Sequence, residues 1–294
     1  MDILPQLIAN SIIAGAIYTM VALGFNLIYG TVKFFDLGYG ALTAVGGYSV
    51  FWLSKELGLP LIPSIILGAL VAGVVGVIIE RLVYHPLRRR RSSSMVMLVA
   101  SLGAFTALQA IIAILFTSQF QTLTRGGAAS RVFEITLPGF ASGAIITYVQ
   151  AAILAAGLAI MVLLALFLKY TMFGKAIKAV ADDEEAAQIV GINTDRVVMV
   201  VFFIGSAIAG LAGILVGLDT GIEPTMGLSL LLKGVIAAIV GGIGNVYGGV
   251  LGAFLLGFVE NFGIWKISGE WKDAIAFALL IIFLLFRPQG ILRK

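Results

Sequence analysis

The sequence predicts an all-α polytopic integral membrane protein with about eight or nine transmembrane or re-entrant helices, and three observations predict it. Of 294 residues, 60% are hydrophobic and 12% charged, with a mean hydropathy of +1.09; a soluble domain keeps about a quarter of its residues charged. The apolar residues fall in runs of ~20, the length at which a helix crosses ~30 Å of hydrocarbon. The runs are continuously apolar, whereas membrane strands alternate over ~10 residues, so helices are selected over a barrel. Residues 1–294 read as a single membrane domain.

In chain order the runs cover 6–29, 34–54, 61–82, 95–117, 147–168, 197–217, 229–243, 247–263 and 273–286. The second is glycine-rich and the seventh short, and both read as broken or re-entrant rather than full crossings. Met1 to Asn10 lacks a basic segment, so no cleaved signal peptide is read there. Lys and Arg favour the cytoplasmic side. Lys33, Arg81, Arg88 to Arg91, Lys169, Lys175, Lys178, Arg196, Arg287, Arg293 and Lys294 fall on one side, thirteen against five for Lys55, Arg125, Arg131, Lys266 and Lys272 on the other. This makes 83–94, 170–196 and 287–294 cytoplasmic and 118–146 an external loop. Nine crossings then leave the N-terminus outside. Trp52, Trp265 and Trp271 fall at external span ends, as in an interfacial aromatic belt or as packed aromatics.

Composition excludes several chemistries. There is no cysteine, hence no thiolate nucleophile or disulfide, and one histidine, His85, too few for a histidine metal cluster. The sole Gly-Lys pair, Gly174-Lys175, is followed by alanine, so no phosphate-binding loop of the G-x-x-x-x-G-K-[ST] type exists and the chain does not bind ATP that way. No cofactor is expected to bind this chain.

Ionisable residues inside spans are costly and face a protein interior or a watery path. Asp36, Lys233 and Glu260 qualify, joined by the polar Asn26 and Tyr39; these five are the candidate solute-path residues. Glu80 adjoins Arg81 at a span end and reads as interfacial. Lys233 also lies near enough to the outer end to snorkel. Many of the 36 glycines lie inside spans, among them Gly205, Gly210, Gly213 and Gly217, where small residues let helices approach closely. Gly244, Gly248 and Gly252 recur every four residues along one helix face, and GGIGNVYGG (241–249) also reads as a turn between two short spans.

The loop 170–196, YTMFGKAIKAVADDEEAAQIVGINTDR, is too polar to cross, yet patterned. Gly174 to Ala181 is rich in helix formers. Asp182 precedes Glu185 by three residues, a capping-box spacing; Asp183, Glu184 and Glu185 suit the first turn of a second helix, which stops at Gly191. Ala179, Ala186, Ala187 and Val190 offer small smooth surfaces. Four consecutive acids disfavour an anionic lipid surface, so a protein partner is the better resting place.

These residues resemble a known family. GKAIKAVADDEEAAQIVGIN looks like the coupling loop of permease subunits of ABC importers, and of the branched-chain amino acid (Liv-type) permeases in particular. NLIYGTVKFFDLGYGALTAVGGY (26–48), LLKGVIAAIVGGIGNVYGGVLGA (231–253) and DAIAFALLIIFLLFRPQGIL (273–292) resemble the same family's early span, late glycine-rich hairpin and closing span. The length suits the shorter of its two usual permeases. The resemblance implies a coupling role for 170–196, with Gly174, Ala179, Asp182, Asp183, Glu184, Glu185, Ala186, Ala187 and Gly191 in contact with an ATPase. It also implies a second permease subunit, two cytoplasmic ATPase subunits that bind the ATP, an extracytoplasmic solute-binding protein, and a bacterial or archaeal plasma membrane. The cargo would be a branched-chain or related small amino acid. One departure stands out: where the family shows Asn-x-x-His-Gly, this chain has Asp36-Leu37-Gly38-Tyr39-Gly40, which points to Asp36 and Tyr39 as influences on substrate choice. The alternatives are an ion-coupled secondary transporter, which would need two related halves and a traceable ion site, and an intramembrane enzyme, which would need a nucleophile and base or a metal cluster, against which one histidine and no cysteine argue.

Overall fold

The structure, a computed structural model, describes residues 3–123, 132–135, 143–265, 267–287 and 289–292. Among them, six helices are long and apolar enough to cross a membrane. The first, α1 (Leu4–Val32), carries Pro5 in its first turn, where a missing N–H leaves nothing unpaired. It is apolar on every side and is buried over 83% of its most hydrophobic stretch, as befits a helix with no polar face. It ends where Lys33 adopts φ 56°. Residues 34–37 lead into α2 (Gly38–Phe51), extended by a π turn at Trp52–Glu56. Next comes a 29-residue rod, Leu61–Arg89, composed of α3 (Leu61–Ile79), a second π turn (Glu80–Tyr84) and α4 (His85–Arg89). α5 (Ser94–Phe116) starts at Ser93, whose hydroxyl accepts from Val96 N.

A two-stranded antiparallel hairpin follows, β1 (Val132–Ile135) and β2 (Ala144–Thr147), with Phe133 opposite Ile146. Thr147 and Gln150 close a capping box on α6 (Tyr148–Tyr170). Two short helices, α7 (Met172–Asp182) and α8 (Glu184–Ile189), precede α9 (Thr194–Thr220), which Asn193 caps. α10 (Met226–Gly241), α11 (Val246–Gly263) and α12 (Lys272–Phe286) complete the chain. Setting aside the short α4, α7 and α8, nine apolar helices among the described residues stand at the nine expected runs. The run at 34–54 is helical only from Gly38, and that at 229–243 begins earlier, at Met226, where the helix is short.

α1, α2, α9 and α10 form the centre, and α3, α5, α6, α11 and α12 surround it. Leu67, Leu70, Ile114, Leu163 and Leu285 are exposed on that outer ring, apolar surface that water would not tolerate and lipid would. Glycine sets the closest approaches. A Cβ at Gly46 would stand 2.5 Å from Gly210 Cα, and one at Gly213 would strike the Thr43 carbonyl. α2 and α10 touch through the backbones of Gly40 and Gly227. At 241–249 the chain turns rather than continuing as a helix: Gly242 and Gly244 have φ +116° and +79°, and Asn245 caps α11 by accepting from Tyr247 N and Gly248 N. Gly244 therefore sits in the turn, off the face that Gly248 and Gly252 present to Gly241 and Ala237.

Sidedness is consistent around the molecule. Gln6 exchanges two hydrogen bonds with Ile145, Nε2 to O at 3.1 Å and N to Oε1 at 2.9 Å, so the start of α1 shares a side with the hairpin. It is the side that the Lys and Arg distribution predicts to be external. Of the external loop 118–146, residues 124–131 and 136–142 lie outside the described residues. Because the chain is free of cysteine, a single introduced thiol reports its own side. Ser92→Cys and Ser268→Cys should react with an impermeant maleimide from opposite faces of the membrane. Labelling from the same face would refute this topology.

Candidate functional site

Three polar constellations occupy the described interior, and two of the clefts that open on its surface border candidate path residues. The first lies at the start of α2. Asp36 is 2% exposed, and its carboxylate accepts from the Tyr84 hydroxyl of the π turn. Ser101 Oγ on α5 receives Leu37 N at 3.1 Å. Tyr39, fully enclosed, donates to Val21 O on α1 at 3.0 Å. Gly38 leaves the room this arrangement needs, since a Cβ there would crowd the Tyr84 hydroxyl and Asp36 Oδ1. Asp36 and Tyr39 thus pin the start of α2 to the 61–89 rod and to α1, and Leu37 ties it to α5.

The second joins two residues that the sequence singled out separately. Glu260 on α11 is fully buried, accepts from Tyr18 OH at 2.6 Å and lies 3.7 Å from Lys233 Nζ. Lys272 Nζ approaches its other oxygen at 3.7 Å, and Lys233 also pairs with Asp273 at 3.2 Å. Lys233 therefore does not snorkel outward alone: it belongs to a five-residue network joining α1, α10, α11 and α12.

The third gathers around Glu80, which is 1% exposed, with Arg88 at 3.5 Å and His85 at 4.0 Å. Arg88 and His85 also reach Asp195 on α9, at 2.9 and 3.4 Å. The π turn places an extra residue between Glu80 and Arg88, which brings the two together eight positions apart.

The cytoplasmic loop forms the two short helices expected, with two changes. The cap of α8 is Asp183, whose Oδ1 accepts from Ala186 N at 2.9 Å; Asp182 is the last residue of α7. Ala187 is 3% exposed and packs inward, so it offers no docking surface. Ala179 is half-buried, and Ala186 is exposed. The exposed apolar groups are larger: Met172 and Phe173 at the start of α7, Ile189 and Val190 at the end of α8. Gly174 permits α7 to fold back on α6, since a Cβ there would strike the Phe167 carbonyl. Gly191, at φ +88°, turns the chain towards α9. Trp52, Trp265 and Trp271 are all about half exposed, in keeping with an interfacial belt rather than internal packing.

A cavity of about 360 Å³ lies between α10 and α12, lined by Glu223, Ser229, Lys233 and Asp273. At the opposite end, a cavity of about 320 Å³ lies between α1, α6, α7 and the 244–247 turn. Asn26 lines the latter and ties α1 to the turn, its amide donating to Asn245 O at 3.2 Å and accepting from Gly244 N at 3.0 Å. Of the five candidate path residues, Lys233 and Asn26 border a cavity at either end, while Asp36, Tyr39 and Glu260 are enclosed by their own chain. Tyr18 and Tyr84 gave no signal in the sequence, as each is one tyrosine in an apolar run. Among the described residues no cluster suited to a metal ion is found.

Comparison with known proteins agrees with this architecture. Residues 7–284 match the family described as branched-chain amino acid transport system / permease component. The chain is 32% identical to the high-affinity branched-chain amino acid transport system permease protein BraD of Pseudomonas aeruginosa, over 98% of this chain and 95% of that protein. The corresponding protein LivH of Escherichia coli gives the same identity and coverage. LivM of Salmonella typhimurium is 26% identical, but the match spans only 68% of its length, which places this chain with the shorter type. With nearly its whole length matched, this chain belongs to the permease family of branched-chain amino acid transport systems.

Proposed function

We propose that the chain is the shorter membrane-spanning permease subunit of an ABC importer in a bacterial or archaeal plasma membrane. It would translocate branched-chain or related small amino acids delivered by an extracytoplasmic binding protein. A second permease subunit and two cytoplasmic ATPase subunits would complete the machine, and the ATPases, not this chain, would bind ATP. The observation that carries the reading is the pair of capped helices α7 and α8, in a chain aligned over 98% of its length with LivH and BraD. A capped helix transmits a push that a floppy loop would absorb. α8 runs directly through Asn193 into α9, which packs against α1, α2 and α3, so a displacement at the loop reaches the core.

The docking surface of this unit is Met172, Phe173, Ile189 and Val190, flanked by the acids Asp182 to Glu185. Ile189 is 86% exposed, so Ile189→Asp should change the chain's own stability by less than ~0.5 kcal/mol. At the centre of an interface the same change removes a buried anchor, an effect of about 2 kcal/mol or more. Membrane insertion should be unchanged, while copurification of the ATPase subunits and ATP-driven uptake should fall at least ~10-fold. Full ATPase recovery with Ile189→Asp would exclude α8 as the docking element. The meeting of two short helices at Gly40 and Gly227 would also suit an ion-coupled transporter; uptake driven by an ion gradient in ATP-free vesicles would favour that reading instead.

A further inference from the structure

We propose that the loop between α4 and α5, with the cleft beside it, binds one anionic phospholipid. Its phosphodiester would rest on Arg90, Arg91 and the first turn of α5, and an acyl chain would lie in the cleft. The site does not depend on what the protein transports.

Charge, backbone and cavity meet at this point. Of the arginines from Arg88 to Arg91, the first two lie 2.9 and 3.8 Å from Asp195. Arg90 and Arg91 are exposed, and neither forms an ion pair among the described residues. α4 ends in a Schellman turn, with Arg91 N donating to Arg88 O at 2.9 Å and Ser92 N to Leu87 O at 3.1 Å. Glycine usually takes the left-handed position of such a turn; here it is Arg91, at φ 51°. A side chain strains the backbone there, and strain of this kind marks functional positions. Ser93 follows and caps α5, its hydroxyl accepting from Val96 N. The amides of Ser94 and Met95 have no acceptor within their own helix, and a helix start favours an anion. A cleft of about 460 Å³ begins at these same two residues. It runs past Leu98 of α5 to Phe35 and to Ile239 and Ile243 at the end of α10, and only Ser94, Tyr29 and Lys33 make its lining polar.

A ligand that satisfies both parts carries an anion and a hydrocarbon chain in one molecule. A phosphodiester suits the guanidinium fork, and basic clusters at span ends are where anionic headgroups gather. A zwitterionic lipid would bring an ammonium as well. Asp195, the carboxylate of this cluster, already has His85, Arg88 and Arg89 at 3.4, 2.9 and 3.8 Å. Free phosphate would leave the cleft unfilled. Lipid has access, because α5 belongs to the outer ring and exposes Val96, Val99 and Leu102.

The test takes the full chain, with the subunits that copurify, in mild detergent. It is incubated with equimolar phosphatidylglycerol and phosphatidylcholine of matched acyl chains, and bound lipid is read by native mass spectrometry. The parent should retain phosphatidylglycerol over phosphatidylcholine by about tenfold or more. Arg90→Gln with Arg91→Gln should bring that ratio near unity. Both side chains are exposed, so this variant should elute in size exclusion as the parent does. Should it fail to fold, Arg90→Gln alone, which leaves the turn at Arg91 intact, should lower the ratio about threefold or more. Lys175→Gln with Arg196→Gln removes two exposed charges from the same predicted side and should leave the ratio unchanged. Glycerol 3-phosphate, a headgroup without chains, should not displace the lipid at equal concentration. A parent that holds both lipids equally, or an unchanged ratio in a folded arginine variant, overturns the site. An equal fall in the Lys175→Gln, Arg196→Gln control overturns it too, as the mark of diffuse attraction. So does displacement by glycerol 3-phosphate, which would leave the cleft without a role.

Discussion

Glu260→Leu should destabilise the folded permease by about 3–5 kcal/mol, the cost of removing one partner from a buried charge network. The carboxylate is fully buried and is shared by Tyr18, Lys233 and Lys272. Without it two ammonium groups remain at a helix junction with Asp273 alone to oppose them, and Tyr18 loses its acceptor. The effect should appear as a lower midpoint of thermal unfolding in detergent and a lower yield of monodisperse protein. A second variant separates electrostatics from simple misfitting. Lys233→Met in the Glu260→Leu background should recover part of the loss, because an apolar pair of similar volume replaces an ion pair at little net cost. If the double variant is no more stable than Glu260→Leu alone, the network contributes by shape and not by charge.

Gly213→Leu should be still more damaging, with no folded protein recovered. A Cβ at this position would collide with the backbone of Thr43, and backbone cannot rotate aside as a side chain can. Overpacking in a core costs about 1–3 kcal/mol where side chains can move, and more where they cannot. Gly103 supplies the control. It lies on an outer helix, and a Cβ added there would meet nothing within 4 Å, so Gly103→Leu should insert and fold like the parent. Equal yields from the two variants, measured by size-exclusion profile after solubilisation, would mean that α2 and α9 do not depend on this close approach.

The parts of this molecule legible in its sequence are those fixed by local chemistry. The bilayer dictates the length of each run, and the Lys and Arg distribution dictates its direction; both act over ~20 residues. The break between α10 and α11 was visible because Gly242 and Gly244 take backbone conformations that glycine tolerates and Asn245 is a ready cap. The two-helix loop was visible for similar reasons, although the cap fell at Asp183 rather than Asp182, since with four successive acids spacing alone does not choose between neighbours. Long-range pairings were not legible. Tyr18 and Glu260 are 242 positions apart, and Glu260 joins Lys233 only because the turn after α10 folds α11 back. The pairing of Glu80 with Arg88 was not legible because a regular helix would not bring the two together; the π turn does. Ala187 looked like open surface because helical spacing in so short a helix does not say which face turns inward.

The central place of α1 has a consequence for how the protein is made. It leaves the ribosome well before the helices that enclose it, since α9, α10 and α11 are encoded from residue 194 onwards. At ~5–20 residues per second, roughly 10–40 s pass between the completion of α1 and the arrival of α11. Throughout that interval Asn26 has no turn to hold and Tyr18 no carboxylate to meet. A nascent chain stalled before residue 246 should therefore keep α1 accessible to crosslinking with the insertion machinery, and release should coincide with the emergence of α11.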